Sequence, residues 1–154
     1  MPSLPPAYLY TFIAMLAVSS LLVLSFIAYT NAARFSSELR QLKELTNRVA
    51  AKSTEMMTLC GTGNTTVQFL LEVPTTIGHK QYWFLLHNDS QTAWVDSGFG
   101  NTPTATNGLR QYIPGHVIST GYYLAGDGNA LLICNSSVGI VWLHLSSSGG
   151  NSQT

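Results

Sequence analysis

One uncharged run stands out near the N-terminus of the chain: LYTFIAMLAVSSLLVLSFIAY, from Leu9 to Tyr29. Its 21 residues match the length of about 20 apolar residues that a helix needs to cross the hydrocarbon core of a bilayer. Glycine and proline, the strongest helix breakers, are absent from Ala7 to Cys60. The sequence therefore predicts one continuous helix. We call Leu9–Tyr29 its apolar segment; a buried core helix or a cleaved signal peptide is a weaker interpretation of it.

The helix is predicted to become amphipathic in its second half. In this stalk (residues 34–60), apolar side chains recur every seven residues at Phe35, Leu42, Val49 and Met56, with charged residues on other faces. A heptad row packs against other helices or against a domain of its own chain. Both interpretations stay open, and the two kinds of contact are expected to share the row.

Charge is scarce and unevenly placed. Of 154 residues, seven are Lys or Arg and seven are Asp or Glu, none before Arg34 and eight between Arg34 and Glu55. A net charge of zero without a basic cluster argues against nucleic-acid binding. The few remaining charges leave few groups for acid–base chemistry. The histidines lack the spacing of metal ligands, and no nucleophile motif occurs. The sequence predicts no enzyme, no catalytic residue, no cofactor and no metal.

Beyond Cys60 the hydrophobic pattern changes from helical to strand-like. Seven short runs are separated by turn sequences such as Gly126-Asp127-Gly128-Asn129. The predicted strands span residues 67–73, 81–87, 92–96, 109–113, 117–124, 130–134 and 138–145. This spacing is typical of a β-sandwich or barrel.

The predicted fold class is therefore α+β, with a long N-terminal hydrophobic helix followed by an antiparallel, immunoglobulin-like β-sandwich. The predicted divisions are residues 1–33 (hydrophobic helix), 34–60 (stalk), 61–145 (the β domain) and 146–154 (a flexible tail).

Most aromatic residues of the β domain are predicted to lie in its core, because a small domain needs large side chains to bury enough area. They are Phe69, Tyr82, Trp83, Phe84, Trp94, Tyr112, Tyr122, Tyr123 and Trp142. The alternative is that one sheet face presents aromatic rings to a sugar or another ligand.

Two cysteines and three sequons are candidate modification sites. A β domain outside the cell would permit a disulfide between Cys60 and Cys134, worth up to about 4 kcal/mol of stability in the chain-entropy model. Two buried thiols are the alternative. The sequons begin at Asn64, Asn88 and Asn135, and each is a glycosylation acceptor only if the domain is extracellular.

This architecture resembles that of archaeal type IV pilin-like proteins, which include adhesion pilins, archaellins and the membrane-anchored stators of the archaellum. The resemblance covers the apolar segment, the stalk and the β domain, and it lies in the architecture and not in a motif. It implies a structural subunit of a helical cell-surface filament that serves adhesion or motility. The subunit would start in the membrane and leave it when the apolar segment exchanges lipid for neighbouring copies.

The resemblance assigns helix assembly to a set of residues along the helix. They are Leu9, Phe12, Ala14, Ala17, Ser20, Leu24, Phe26, Phe35, Leu42, Val49 and Met56. Among them Ala14, Ala17 and Ser20 are small enough for close helix approach. The implied partners are other copies of the chain, the membrane before assembly, and a surface-layer protein or a glycan.

One alternative to a filament subunit is an anchored extracytoplasmic protein such as an archaellum stator that binds the surface layer. Another is an anchored carbohydrate- or peptide-binding module.

The N-terminus departs from the pilin pattern. Prepilins carry Lys or Arg followed by Gly before the hydrophobic run, whereas this chain begins MPSLPPAYLY. A chain already processed favours a filament subunit, and an unprocessed one favours a stator. The positive-inside rule places the side of Arg34 and Arg40 in the cytoplasm, opposite to what the resemblance implies. A removed basic leader would reconcile the two.

Overall fold

The computed structural model describes residues 6–61, 65–89, 91–104, 108–137 and 139–149. A single helix, α1, runs without interruption over Pro6–Cys60, as the absence of internal glycine and proline predicts. Proline is tolerated at the first position of a helix because its missing N–H would have had no partner there. The helix ends at Cys60, and the N–H of the following residue, Gly61, donates to the carbonyl of Met57 at 2.9 Å.

Seven strands follow the helix, and they confirm the predicted α+β fold class. They are β1 (Thr66–Leu71), β2 (Tyr82–Asn88), β3 (Ala93–Phe99), β4 (Leu109–Ile113), β5 (Ile118–Leu124), β6 (Ala130–Ser137) and β7 (Ile140–Ser147). They form one seven-stranded sheet in the order β1-β6-β7-β5-β2-β3-β4. Strand β7 continues two residues into the segment predicted as a tail, and residues 150–154 lie outside the described residues.

The sheet is antiparallel except where β5 pairs with β7 in parallel. Gly121 lies in this pair with φ of +106°, and a Cβ atom built there would be 2.1 Å from the carbonyl oxygen of Leu145. Only glycine combines this positive φ with so close an approach of two backbones. The parallel pair therefore depends on Gly121.

The chain divides into two compact units, the first ending at Glu38 and the second beginning at Leu39. The second, which we call the folded unit, contains the sheet and the C-terminal part of α1. Leu42, Val49 and Met56 of the heptad row are at most 1% exposed there and belong to the core that the sheet supplies. For these three residues the row packs on the chain's own β domain.

Within the folded unit, the part of the stalk that begins at Leu39 covers one face of the sheet, the inner face. Lys52 Nζ lies 4.1 Å from the ring centre of Phe69 on β1, and Thr46 bonds Ser97 on β3. The strands place alternate side chains on this face, and the largest buried ones are Tyr82, Phe84, Leu86, Ile113, Tyr123, Leu132, Leu143 and Leu145. The stalk and the inner face thus form one hydrophobic core.

Candidate assembly and ligand surfaces

The apolar segment is uncovered in the single chain. The exposed fraction of its large side chains lies between 50% for Ile27 and 74% for Tyr29. The most apolar 18-residue window of α1 has a mean hydropathy of 2.4, and none of its residues is buried. By length and composition α1 suits membrane insertion or a signal sequence, and none of the residues that the structure describes covers the apolar segment.

Polar side chains in and beside the apolar segment bond to their own helix. Ser20 Oγ donates to the carbonyl of Ala17 at 2.8 Å, and Thr30 Oγ1 donates to the carbonyl of Phe26 at 2.8 Å. Such back-bonding satisfies hydroxyl donors without water. These hydroxyls therefore impose little desolvation cost on burial in lipid or between helices.

The residues assigned to helix assembly separate into two groups. Those of the apolar segment are exposed: Leu9, Phe12, Ala14, Ala17, Ser20, Leu24 and Phe26. Phe35 is also exposed, at 52%. Leu42, Val49 and Met56 lie inside the folded unit, so of this set only the exposed group is available for contact with another molecule.

The sheet face opposite the stalk, the outer face, carries exposed aromatic rings. The exposed fraction is 57% for Tyr112 on β4, 60% for Tyr122 on β5 and 47% for Trp142 on β7. Within the seven described strands the only charged residues are Asp96 and Arg110, which pair with each other. The outer face is therefore aromatic and nearly neutral.

Asp96 is the buried charge of this face, 1% exposed. Its carboxylate accepts from Arg110 Nε at 2.8 Å and Nη2 at 3.0 Å, and from Trp94 Nε1 at 3.0 Å. These hydrogen bonds raise the pKa of the Arg110 guanidinium, which also lies 4.7 Å from the Trp94 ring centre. The cluster fixes the Trp94 ring, and Tyr112 meets that ring edge-on at 6.2 Å.

A groove of about 590 Å³ opens on the outer face between β2, β5 and β7. The side chains that define it include Leu85, His87, Thr120, Tyr122 and Trp142. Apolar and aromatic walls with a few polar groups are the usual composition of ligand sites. The groove could accept an uncharged ligand with both apolar and hydroxyl surfaces.

The prediction that the aromatic residues are mostly core is wrong for several of them. Tyr82, Trp83, Phe84 and Tyr123 are buried, Trp94 is half-buried, and Phe69, Tyr112, Tyr122 and Trp142 are exposed. The stalk covers only one face, so Tyr112, Tyr122 and Trp142 point away from it. Phe69 lies on the inner face beside Lys52, on the edge strand β1, where its cover is incomplete. Trp83 is buried on the outer face because Gly98 and Gly108 leave room for its ring.

The two cysteines are brought together as buried thiols. Cys60 and Cys134 are both 0% exposed, and Cys60 Sγ donates to the carbonyl oxygen of Cys134 at 3.2 Å. Both are free thiols in this structure, so the disulfide stays a prediction.

The sequons lie in different surroundings. Asn88 is exposed at the end of β2, and Asn135 is exposed within β6, where it pairs with Trp142 of β7. Asn64 lies outside the described residues. Glycosylation at the three positions stays a prediction.

Comparison with known proteins gives no match among family models, curated proteins or solved structures. Among the described residues, no group of three or more His, Cys, Asp or Glu side chains is placed to hold a metal ion. The function must therefore be argued from the two exposed surfaces, the apolar segment and the outer face.

Proposed function

We propose that the chain is a structural subunit of an archaeal type IV pilus-like filament, assembled through its apolar segment with the β domains outside. The observation that carries the proposal is the uncovered apolar segment on a helix that continues without a break into the core of the folded unit. A side chain such as Leu24, 63% exposed, must be covered by lipid or by protein. A precursor in the membrane and a filament core meet that need in succession.

The row of small residues supports helix–helix contact. Ala14, Ala17 and Ser20 are spaced by three, which places them along one side of the helix at 3.6 residues per turn. Small side chains let helix backbones approach closely when lipid-like surroundings provide no hydrophobic driving force. Because Ser20 already donates to Ala17, it can enter such a contact with its hydroxyl satisfied.

The test is to image cell-surface filaments by electron microscopy and to identify their protein by mass spectrometry. We expect this chain in the filaments of wild-type cells. If it is missing from them and stays in the membrane fraction, the subunit proposal fails and an anchored protein such as a stator replaces it.

Two serine variants separate assembly from membrane insertion. Ser20→Leu places a large side chain in the row of small residues. Ser19→Leu makes the same substitution outside the row, about 100° around the helix. Both variants should enter membranes as well as the wild type, because leucine favours the bilayer. Filaments should be lost with Ser20→Leu and retained with Ser19→Leu. Equal filament numbers in the two variants would contradict packing through this row.

A second candidate is a membrane-anchored carbohydrate-binding module, favoured by the neutral, aromatic outer face. Tyr122 and Trp142 border the groove, and Thr120 adds a hydroxyl to its lining.

Affinity electrophoresis in gels that contain neutral polysaccharides tests this carbohydrate-binding function. Tyr122→Ala and Trp142→Ala should abolish retardation, whereas Tyr112→Ala, which removes an equally exposed ring outside the groove, should preserve it. No retardation of the wild type on any neutral polysaccharide would reject this candidate.

A further inference from the structure

The end of α1 meets an interior strand of the sheet where two cysteines lie together. Cys60 is the last residue of α1, and Cys134 lies within β6, paired with Val67 of β1 on one side and Leu143 of β7 on the other. The Cys60 thiol donates to the Cys134 carbonyl oxygen at 3.2 Å and lies 3.7 Å from the carbonyl oxygen of Thr65. The two residues are 74 positions apart in the chain.

Both thiols are sealed in the folded unit. Each cysteine is 0% exposed, and burial, followed by the hydrogen bond with Cys60, raises the pKa of the Cys134 thiol to about 12. Only a thiolate attacks a disulfide or binds a soft metal, and neither cysteine is accessible to solvent, so reagents in solution do not reach the folded pair. A bond between the two sulfur atoms would have to form before the stalk closes over β6.

We propose that Cys60 and Cys134 form a disulfide during folding, which joins the C-terminal end of α1 covalently to the sheet. The Cys60 sulfur already contacts the backbone of Cys134, so an S–S bond of about 2.05 Å would join two residues that the fold has brought together. The proposal rests on the proposed function for one condition alone, a location outside the cytoplasm, where disulfides persist.

The reaction balances with a low-molecular-weight disulfide as the oxidant. One cysteine thiolate attacks the oxidant, which releases one thiolate and leaves a mixed disulfide on the protein. The second cysteine thiolate then attacks the protein sulfur of that mixed disulfide and expels the other half of the oxidant. Two S–H bonds are lost from the protein, one S–S bond forms, and the oxidant leaves as two thiols with the two protons.

The direct test counts thiols in the full chain isolated from cells. The chain is denatured in the presence of a maleimide reagent, with and without prior reduction. We expect no labelled cysteine before reduction and two after it. Two labelled cysteines without reduction would overturn the proposal. The count is made separately on filament and membrane fractions, so it is valid wherever the chain is found and does not depend on the filament proposal.

A stability measurement tests the staple independently. In detergent, a reductant should lower the Tm of the wild type by roughly 10 °C or more, given the length of the closed loop. The Cys60→Ala/Cys134→Ala variant should show no response to reductant. A wild-type Tm that does not change on complete reduction would overturn the role of the bond in stability.

Refolding tests the order of events. The reduced, unfolded chain should form the bond when it refolds with oxidised glutathione, whereas the reduced, folded chain should remain unreactive to the same reagent at neutral pH. Oxidation of the folded chain as fast as the unfolded one would show that the thiols are not sealed and would overturn this order.

Discussion

The side-chain hydroxyls of Thr46 and Ser97 meet at 2.6 Å inside the folded unit, which links residues 51 positions apart in the chain. Thr46 lies on α1, and its hydroxyl is also 2.8 Å from the carbonyl oxygen of Leu42. When Thr46 donates to that carbonyl, Ser97 is the donor to Thr46. Ser97 lies on β3 and has a weaker contact with the carbonyl of Leu109 at 3.4 Å. The pair is a polar connection between the stalk and the inner face.

Replacing Thr46 with valine should lower the free energy of unfolding by about 1–2 kcal/mol, because the buried Ser97 hydroxyl loses its best partner. The Thr46→Val/Ser97→Ala double variant should lose less stability than the sum of the two single variants. With both hydroxyls removed, no buried hydroxyl is left unpaired. Urea unfolding followed by tryptophan fluorescence measures both, because Trp83, Trp94 and Trp142 all lie in the sheet.

Thr54→Val is the matched control for this pair. Thr54 makes the same bond to its own helix, to the carbonyl of Ala50 at 3.0 Å, but is only partly buried. Its replacement should change the unfolding free energy by less than about 0.5 kcal/mol. Additive losses in the Thr46 and Ser97 variants would contradict the coupling.

Much of this fold follows from local sequence signals. The uninterrupted helix follows from the absence of glycine and proline up to Cys60, and the strands follow from alternation and turn residues. The sequence does not decide the partner of the stalk, because Leu42 and Val49 in a heptad row suit either another helix or a sheet. Burial of these side chains against the inner face depends on how the strands assemble, which a local pattern does not encode.

The outer face was harder to predict for the same reason. Tyr122 and Tyr123 are adjacent and equally aromatic, yet one is 60% and the other 1% exposed, because only one sheet face is covered. The parallel pairing of β5 with β7, strands that are not consecutive in the chain, also has no local signal. Gly121 is the residue whose strand-interior position could have indicated a close backbone approach.

Replacing Gly121 with alanine should prevent stable folding of the sheet. The added Cβ would overlap the carbonyl oxygen of Leu145, and the positive φ adds about 1–2 kcal/mol of backbone strain for any residue with a side chain. We expect a loss of at least about 4 kcal/mol or no folded protein, measured by thermal unfolding and by yield.

Gly100→Ala separates strain from steric overlap. Gly100 also has a positive φ, of +115°, but nothing lies within 4 Å of a Cβ atom built there. This variant should fold and lose only about 1–2 kcal/mol. Similar losses at the two glycines would mean that the overlap with Leu145 is relieved by a movement of the strands.

The turn after β2 should be sensitive to acid through Asp89. Its carboxylate accepts from the N–H groups of Gln91 at 2.8 Å and Thr92 at 2.6 Å, and these bonds lower the pKa of Asp89. A lowered pKa gives stability that is fully present above the unfolded value of about 3.9 and is lost as the pH falls through the folded value. The Tm of the wild type should therefore fall more steeply below pH 4 than that of Asp89→Asn.

Asp127→Asn is the control for the acid response. Asp127 is an exposed aspartate of another turn, and no hydrogen bond to its carboxylate occurs among the described residues. This variant should follow the wild-type curve of Tm against pH. Parallel curves for the wild type and Asp89→Asn between pH 2 and 5 would contradict the role of the Asp89 turn.

Removing the guanidinium of Arg110 should be the most damaging change on the outer face. Asp96 is 2% exposed at its side chain, whereas Arg110 is 40% exposed, so Arg110→Met leaves a buried carboxylate with Trp94 as its remaining partner. We expect a clear loss of stability, smaller than the full effect of breaking a buried pair because solvent screens the exposed arginine. Asp96→Asn/Arg110→Met should recover part of that loss, since it removes the uncompensated charge.

Arg48→Met, which removes an exposed arginine 3.9 Å from Glu44, should change the unfolding free energy by less than about 0.5 kcal/mol. Equal losses at Arg48 and Arg110 would mean that Asp96 finds another partner when Arg110 is gone.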